Sequence, residues 1–140
     1  SDLDAEEIHR ATIPVALREE HVRERALVDD ILSRARGGAG TVVGLRAVLE
    51  AVARENVLTV AVDRDVEAEV SACTRCGHVT AEAVSRCPAC GGDVELASLS
   101  QLLPLLARRS GARLEMITGG AAEALRAHGG IGAVLRYTVP

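Results

Sequence analysis

The feature that most constrains this chain is CTRCGHVTAEAVSRCPACGG, residues 73 to 92. Its four cysteines are the only ones present, and they come as two pairs, Cys73/Cys76 and Cys87/Cys90. A CxxC pair places two sulfurs on one tight turn, and the glycine after each second cysteine (Gly77, Gly91) suits a knuckle that needs positive φ. The ten residues between the pairs are expected to form a hairpin that brings both knuckles to one ion. This is zinc-ribbon spacing. Four thiolates complete a tetrahedral shell and leave no position for water or substrate, so the expected zinc is structural. Iron is a minor alternative, since rubredoxin-like iron sites lean on an aromatic shell, and here there is no Phe, no Trp and a single Tyr. A dithiol redox pair is a second alternative, but two pairs at this spacing are better explained by one ion. His78, beside the first knuckle, reads as a solvated or supporting residue.

Around this segment the pattern alternates between helix and strand. Residues 1–14 read as a linker from a preceding region, because they are polar and mixed and Pro14 marks a boundary. The chain starts without Met, as a piece cut from a longer protein would. From Val15 to Arg36, Val22, Leu27, Val28, Ile31 and Leu32 recur at helical spacing, and Gly37-Gly38-Ala39-Gly40 ends the run. TVV (41–43) is a short strand, and Leu45, Val48, Leu49 and Val52 mark a half-buried helix. VLTVAV (57–62) is a continuous β-branched run of the kind covered on both faces. After the cysteines, Ser98–Ser110 is a helix in which Pro104 is expected in the first turn. RLEMIT (113–118) is a strand, AAEALRAH (121–128) a short helix and IGAVLRYTV (131–139) a final strand. The alternation predicts one α/β domain over 15–140 with a mixed, largely parallel sheet and helices on both faces. Residues 66–96 interrupt one crossover as an insertion too small to bury its own core. The α/β part, with its own apolar elements, is expected to outlast loss of the ion.

Charge and motifs narrow the chemistry. The 16 basic residues, all Arg, are outnumbered by 20 acidic ones, for a net charge of -4. That balance argues against sequence-independent nucleic-acid binding, which needs surplus positive charge. No apolar run approaches membrane-spanning length, which with the reduced cysteine pairs points to a cytoplasmic protein. GGAGTVVG lacks the preceding strand that a dinucleotide fingerprint requires, and there is no GxxxxGK[ST]. His9, His21 and His128 are isolated, no nucleophile pattern accompanies them, and no small-molecule site is legible. REEHVRER (18–25) reads as a solvated helix face with i, i+4 ion pairs.

LLPLLARRSGARLEMITG followed by AHGGIGAVLRYTV resembles the C-terminal domain of the archaeal and eukaryotic class I peptide chain release factors and their rescue paralogue Pelota. There a similar helix leads to a GAxLEIIT strand, and the chain closes on GFGGIxAxLRY. ALVDDILSRARGGAGTVVGLRAVLEAVARENVLTVAVD is similar to the start of that domain, and archaeal members carry paired CxxC motifs in an insertion at the same place. The likeness covers about Leu27 to Tyr137. It implies an α/β/α sandwich akin to the kink-turn-binding ribosomal proteins, with a ribbon-like minidomain. It also implies a role in translation termination or ribosome rescue, with the ribosome or a translational GTPase as partner. In those factors hydrolysis belongs to a Gly-Gly-Gln loop in the preceding domain, and no such loop occurs here. His128 stands where the family usually has Phe.

The expectation is therefore a non-enzymatic binding domain. On the ribbon, Thr74, Arg75, His78 and Arg86 are the expected partner-facing residues. Two rival readings stay open: a kink-turn-type RNA-binding module, which needs an Arg-lined surface near Gly44 where only Arg46 is evident, and the C-terminal part of a peptidyl-tRNA hydrolase with its active residues upstream.

Overall fold

A computed structural model describes residues 2–137, with side chains described from Leu17 onward. Helix α1 spans Asp2–Arg36 and is continuous through Pro14. It is followed by β1 (Thr41–Val43), α2 (Leu45–Ala53) and β2 (Thr59–Asp63). The cysteine segment supplies β3 (Glu69–Cys73), β4 (Val79–Thr80) and β5 (Val94–Ser98). Then come α3 (Leu99–Ser110), β6 (Arg113–Ile117), α4 (Gly119–Arg126) and β7 (Ile131–Val134).

The main sheet has the order β1-β7-β2-β6. It is mixed, as the alternation implied, but not largely parallel: β2–β6 is its one parallel pair, and β7 runs antiparallel to both β1 and β2. The reversal comes from Gly129 and Gly130, at φ 96° and 79°. Both adopt the left-handed backbone that only glycine takes cheaply. They turn the chain straight back after α4, so β7 enters between β1 and β2 instead of crossing over.

Strand alternation sorts the two faces. Val60 and Val62 join α2 and α3 residues (Val48, Leu49, Leu99, Leu103, Leu106) in one buried cluster. Ala61 joins Val28 and Ile31 of α1 and Ala121, Ala122 and Leu125 of α4 in a second cluster. Gly132, on β7, belongs to this second side: a Cβ there would lie 2.9 Å from Ile31 Cγ2 and 3.2 Å from the Val42 carbonyl oxygen. With no large aromatic to fill space, α1 approaches the sheet closely at that glycine.

Three elements differ from the sequence pattern. Pro104 is the sixth residue of α3, not in its first turn. It removes the hydrogen bond that would run to the Ser100 carbonyl, but both residues lie on the exposed side, where that oxygen is open to solvent. The final strand stops at Val134, and Asn56 holds the chain beyond it. The Asn56 side chain is buried; its Oδ1 accepts the N–H groups of Arg136 and Tyr137 at 3.0 Å each, and its Nδ2 donates to the Tyr137 carbonyl. Arg136 turns back to donate to the carbonyls of Val57, Ser110 and Gly111, which ties the chain at that residue to the end of α3. Finally, Glu24 of the REEHVRER stretch is buried, and its carboxylate accepts the Thr118 hydroxyl at 3.2 Å.

The cysteine segment lies in the crossover between the parallel strands β2 and β6, and it shares the main core. Val70 of β3 and Val79 of β4 belong to the same cluster as α2 and α3. An ion pair between Arg46 of α2 and Glu82, 2.6 Å, bridges the two parts at the surface.

Candidate metal centre

β3, β4 and β5 form a three-stranded antiparallel sheet in the order β4-β3-β5. The ten residues between the cysteine pairs do not make one hairpin. Each knuckle is instead the tip of its own β-turn structure. The first links β3 to β4, where the Cys73 N–H donates to the His78 carbonyl at 2.8 Å and the Gly77 N–H to the Cys73 carbonyl. The second is closed by the Arg86–Asp93 bridge, with the Cys87 N–H donating to the Gly92 carbonyl at 2.9 Å. The Thr74 N–H donates to the Asp93 carbonyl, which joins the two tips.

This arrangement brings the four sulfurs within 4.8 Å of one another. Cys73 and Cys90 Sγ are 3.5 Å apart, and Cys76 and Cys87 Sγ 3.6 Å. The four are free thiols. Backbone N–H groups point at the sulfurs: Arg75 and Cys76 donate to Cys73, Ala89 to Cys87 and Gly92 to Cys90, at 3.3–3.4 Å. Such donors stabilise thiolate, the form that ligates metal. The Cys73 thiol is accordingly lowered to about 6, chiefly by the Cys76 N–H. The His78 N–H acts to lower Cys76, yet local desolvation and its three sulfur neighbours outweigh it and raise that thiol to about 12. Four like charges at this spacing need a cation among them. The donor set therefore fits a tetrahedral, thiolate-bound ion, and zinc is compatible with it. Cys73 and Cys87 are buried and Cys76 and Cys90 exposed, so the site is at the surface.

The residues expected to face a partner fall into different roles. Arg86 is bound to Asp93 at 2.5 Å and helps close the second knuckle. Thr74 donates its hydroxyl to the Asp93 carbonyl at 3.2 Å. Arg75 is exposed and has no ion-pair partner among the described residues. Its Cβ and Cδ lie 3.1 and 3.3 Å from where a Cβ on Gly92 would be. His78 is half-buried and faces α2.

The sequence reading missed Arg109. It lies in the last turn of α3, far along the chain from the cysteines, and no motif marks it. Its guanidinium rests on Gly77 (φ 79°), where a Cβ would fall 2.9 Å from Nη1. Between this contact and α2 is a cleft of about 250 Å³. At the opposite end of β2, Asp63 is buried and binds Arg126 Nε at 2.8 Å. That hydrogen bond holds the Asp63 carboxyl below its usual range.

No protein-family model matches the chain, and no curated protein matches it. Among solved structures, the C-terminal domain of a peptide chain release factor from Methanosarcina mazei is similar. The identity is 21%, the match covers 99% of this chain and 97% of that one, and the TM-score is 0.69. The likeness is to the family that the sequence resemblance pointed to, and the fold it supports is a mixed α/β one with a four-cysteine cluster. No helix among the described residues is long and apolar enough to cross a membrane.

Proposed function

We propose that this chain is a binding domain of a release-factor-like protein, acting on the ribosome in translation termination or ribosome rescue, in the cytoplasm and without hydrolytic chemistry of its own. The observation that carries this reading is the likeness to a release-factor C-terminal domain over 99% of the chain, ribbon included. The layered arrangement of α1 and α4 on one side of the sheet and α2 and α3 on the other supports the α/β/α sandwich of that family. Cys73, Cys76, Cys87 and Cys90 hold one structural zinc, and the ion fixes the shape of the knuckles. The partner is the ribosome or a translational GTPase. The exposed face of the first knuckle, with Thr74 and Arg75, lies toward it, and the half-buried His78 stands at the edge of that face. Arg86 contributes by holding the second knuckle closed against Asp93.

The kink-turn RNA reading finds little support. Arg46, the one cation it had near Gly44, is paired with Glu82.

The test is co-sedimentation of the purified chain with ribosomes, alone and with a ribosome-bound translational GTPase. Pelleting that saturates, and that weakens in Arg75→Ala, supports the proposal. A chain that stays in the supernatant under both conditions refutes it. Metal analysis that finds no zinc in chain purified without chelator refutes the ion assignment separately.

A further inference from the structure

The main sheet ends on β6, and among the described residues that edge is open. β6 is hydrogen-bonded on one side only, to the parallel strand β2. The Arg113 N–H donates to the Leu58 carbonyl at 2.8 Å, and the Ile117 carbonyl accepts the Arg64 N–H at 2.9 Å. Strand alternation therefore turns the backbone of Arg113, Glu115 and Ile117 toward β2, and that of Leu114 and Met116 outward. No described residue pairs with those outward N–H and C=O groups. Such a row is a template for another strand.

The side chains of β6 select that strand. Leu114 packs on the α2–α3 side of the sheet, and Ile117 is buried on the α1–α4 side. Arg113 and Glu115 share the side of Ile117. Arg113 is exposed and Glu115 half-buried, and neither has an ion-pair partner among the described residues. The edge thus carries one cation and one anion, two positions apart, on one face. A complementary strand carries the same two charges in reverse order. β6 itself presents that order when it runs antiparallel.

We propose that β6 of a second copy of this chain completes the edge, antiparallel about a two-fold axis at Leu114, so that the two four-stranded sheets become one. In this register Arg113 faces the partner's Glu115, and Glu115 the partner's Arg113. These are non-hydrogen-bonded positions, where facing side chains come closest. The Leu114 N–H donates to the carbonyl of the partner's Leu114. The Met116 N–H donates to the carbonyl of the partner's Ala112, whose small side chain leaves room for the exposed Met116. A slip of two residues either way sets Glu115 against Glu115 or Arg113 against Arg113, so charge fixes the register. The other five-residue edge, β5 (VELAS), carries Glu95 without a basic residue and cannot pair with itself in this way. β1 and β4 are only three and two residues long. The proposal does not rest on the ribosomal role.

The experiment is sedimentation velocity of the zinc-loaded chain at low salt, from about 10 μM to about 1 mM. One short strand makes a small interface beside the roughly 1,200–2,000 Å² of stable complexes, so the expected dissociation constant is on the order of 100 μM. Arg113→Glu and Glu115→Arg, each alone, set like charges opposite one another and should weaken self-association about tenfold or more. Mixed one to one, the two variants should associate with each other, because every facing pair is then opposite in sign. The double variant R113E/E115R should regain self-association. Circular dichroism and zinc content show that each variant keeps its fold, and recovery on mixing shows it independently. A chain that stays monomeric at about 1 mM, single variants that dimerise like the wild type, or single variants that fail to associate when mixed would each overturn the proposal.

Discussion

Metal removal should do more than unfold a local loop. On the zinc assignment proposed above, chelation, or Cys87→Ser, would take away the ion among four sulfurs that lie within 4.8 Å of one another. Residues 73–93 then have little to hold them, since the ribbon has no core of its own beyond the thiolates. β3, however, reaches back into the domain. Val70 is 1% exposed and Val79 8% exposed, in a cluster with Val48, Leu99 and Leu103. Burying a valine contributes roughly 1.5–3 kcal/mol, so full loss of β3 and β4 would cost the α/β part about 3–6 kcal/mol. That is a large share of the ~5–15 kcal/mol typical of a whole domain. The cheaper outcome is partial melting: the knuckles open while the Glu69–Ser71 end of β3 stays paired with β5 and packed on α3. Hydrogen exchange of the chelated chain should then show amides 73–93 unprotected and Val70 still protected. Urea melts should show a loss of stability of about 1–4 kcal/mol, below the full burial value. The reasoning fails if the urea midpoint is unchanged, because the ribbon would then contribute nothing to the core. It also fails if Val60–Val62 and Ile117 lose protection in step with the knuckles, because the domain would then be one unit.

Other consequences are more local. Gly132→Ala should destabilise by about 1–3 kcal/mol, since its Cβ would meet Ile31 and the Val42 carbonyl on a rigid central strand; a thermal melt reads this directly. Asn56→Ala should cost about 2–4 kcal/mol, because one side chain satisfies three backbone groups of Arg136 and Tyr137, and exchange at those two amides should rise first. Gly130→Val forces a branched side chain into positive φ and should cost roughly 1–3 kcal/mol, again by thermal melt. Asp63 has its folded pKa lowered by Arg126. Its contribution to stability is therefore fully present above the ordinary carboxylate range near ~4 and disappears as pH falls through the lower folded value. In Arg126→Met that lowering is lost, so stability near neutral pH should fall while stability at strongly acid pH changes little, which flattens the acid limb of a stability–pH curve; an unchanged limb would show that another carboxylate governs it.

The elements could be read from the sequence because their signals are local. Leu45, Val48, Leu49 and Val52 announce a helix, VLTVAV announces a strand, and two CxxC pairs announce four converging sulfurs. What could not be read depends on pairs distant in the chain. The direction of β7 is set by how Gly129-Gly130 reverse the chain, and alternation alone cannot separate a parallel from an antiparallel neighbour. Asn56, a lone polar residue before a strand, gives no hint that it grips the chain 80 positions later. Arg86 looked free because Asp93 is seven residues away across a knuckle whose fold was not yet known. Arg109 reads as an ordinary basic residue in a helix's last turn, where it would be favoured anyway.

These long-range pairs decide how firmly the ribbon is mounted, and that bears on any binding role. A ribbon attached only by its two strands would swing, and a partner would have to immobilise it at a cost in entropy. Here Val70 and Val79 anchor it to the apolar cluster, Arg46 to Glu82 ties it to α2, and the Leu99 N–H donates to the Ala68 carbonyl at the start of α3. Gly77 under Arg109 adds a fourth contact, at the knuckle itself. The knuckle face thus holds one arrangement before any partner arrives. On the zinc assignment proposed above, that preorganisation would be lost with the metal, so protection of the knuckle amides and metal occupancy should rise and fall together when zinc is titrated back into the chelated chain.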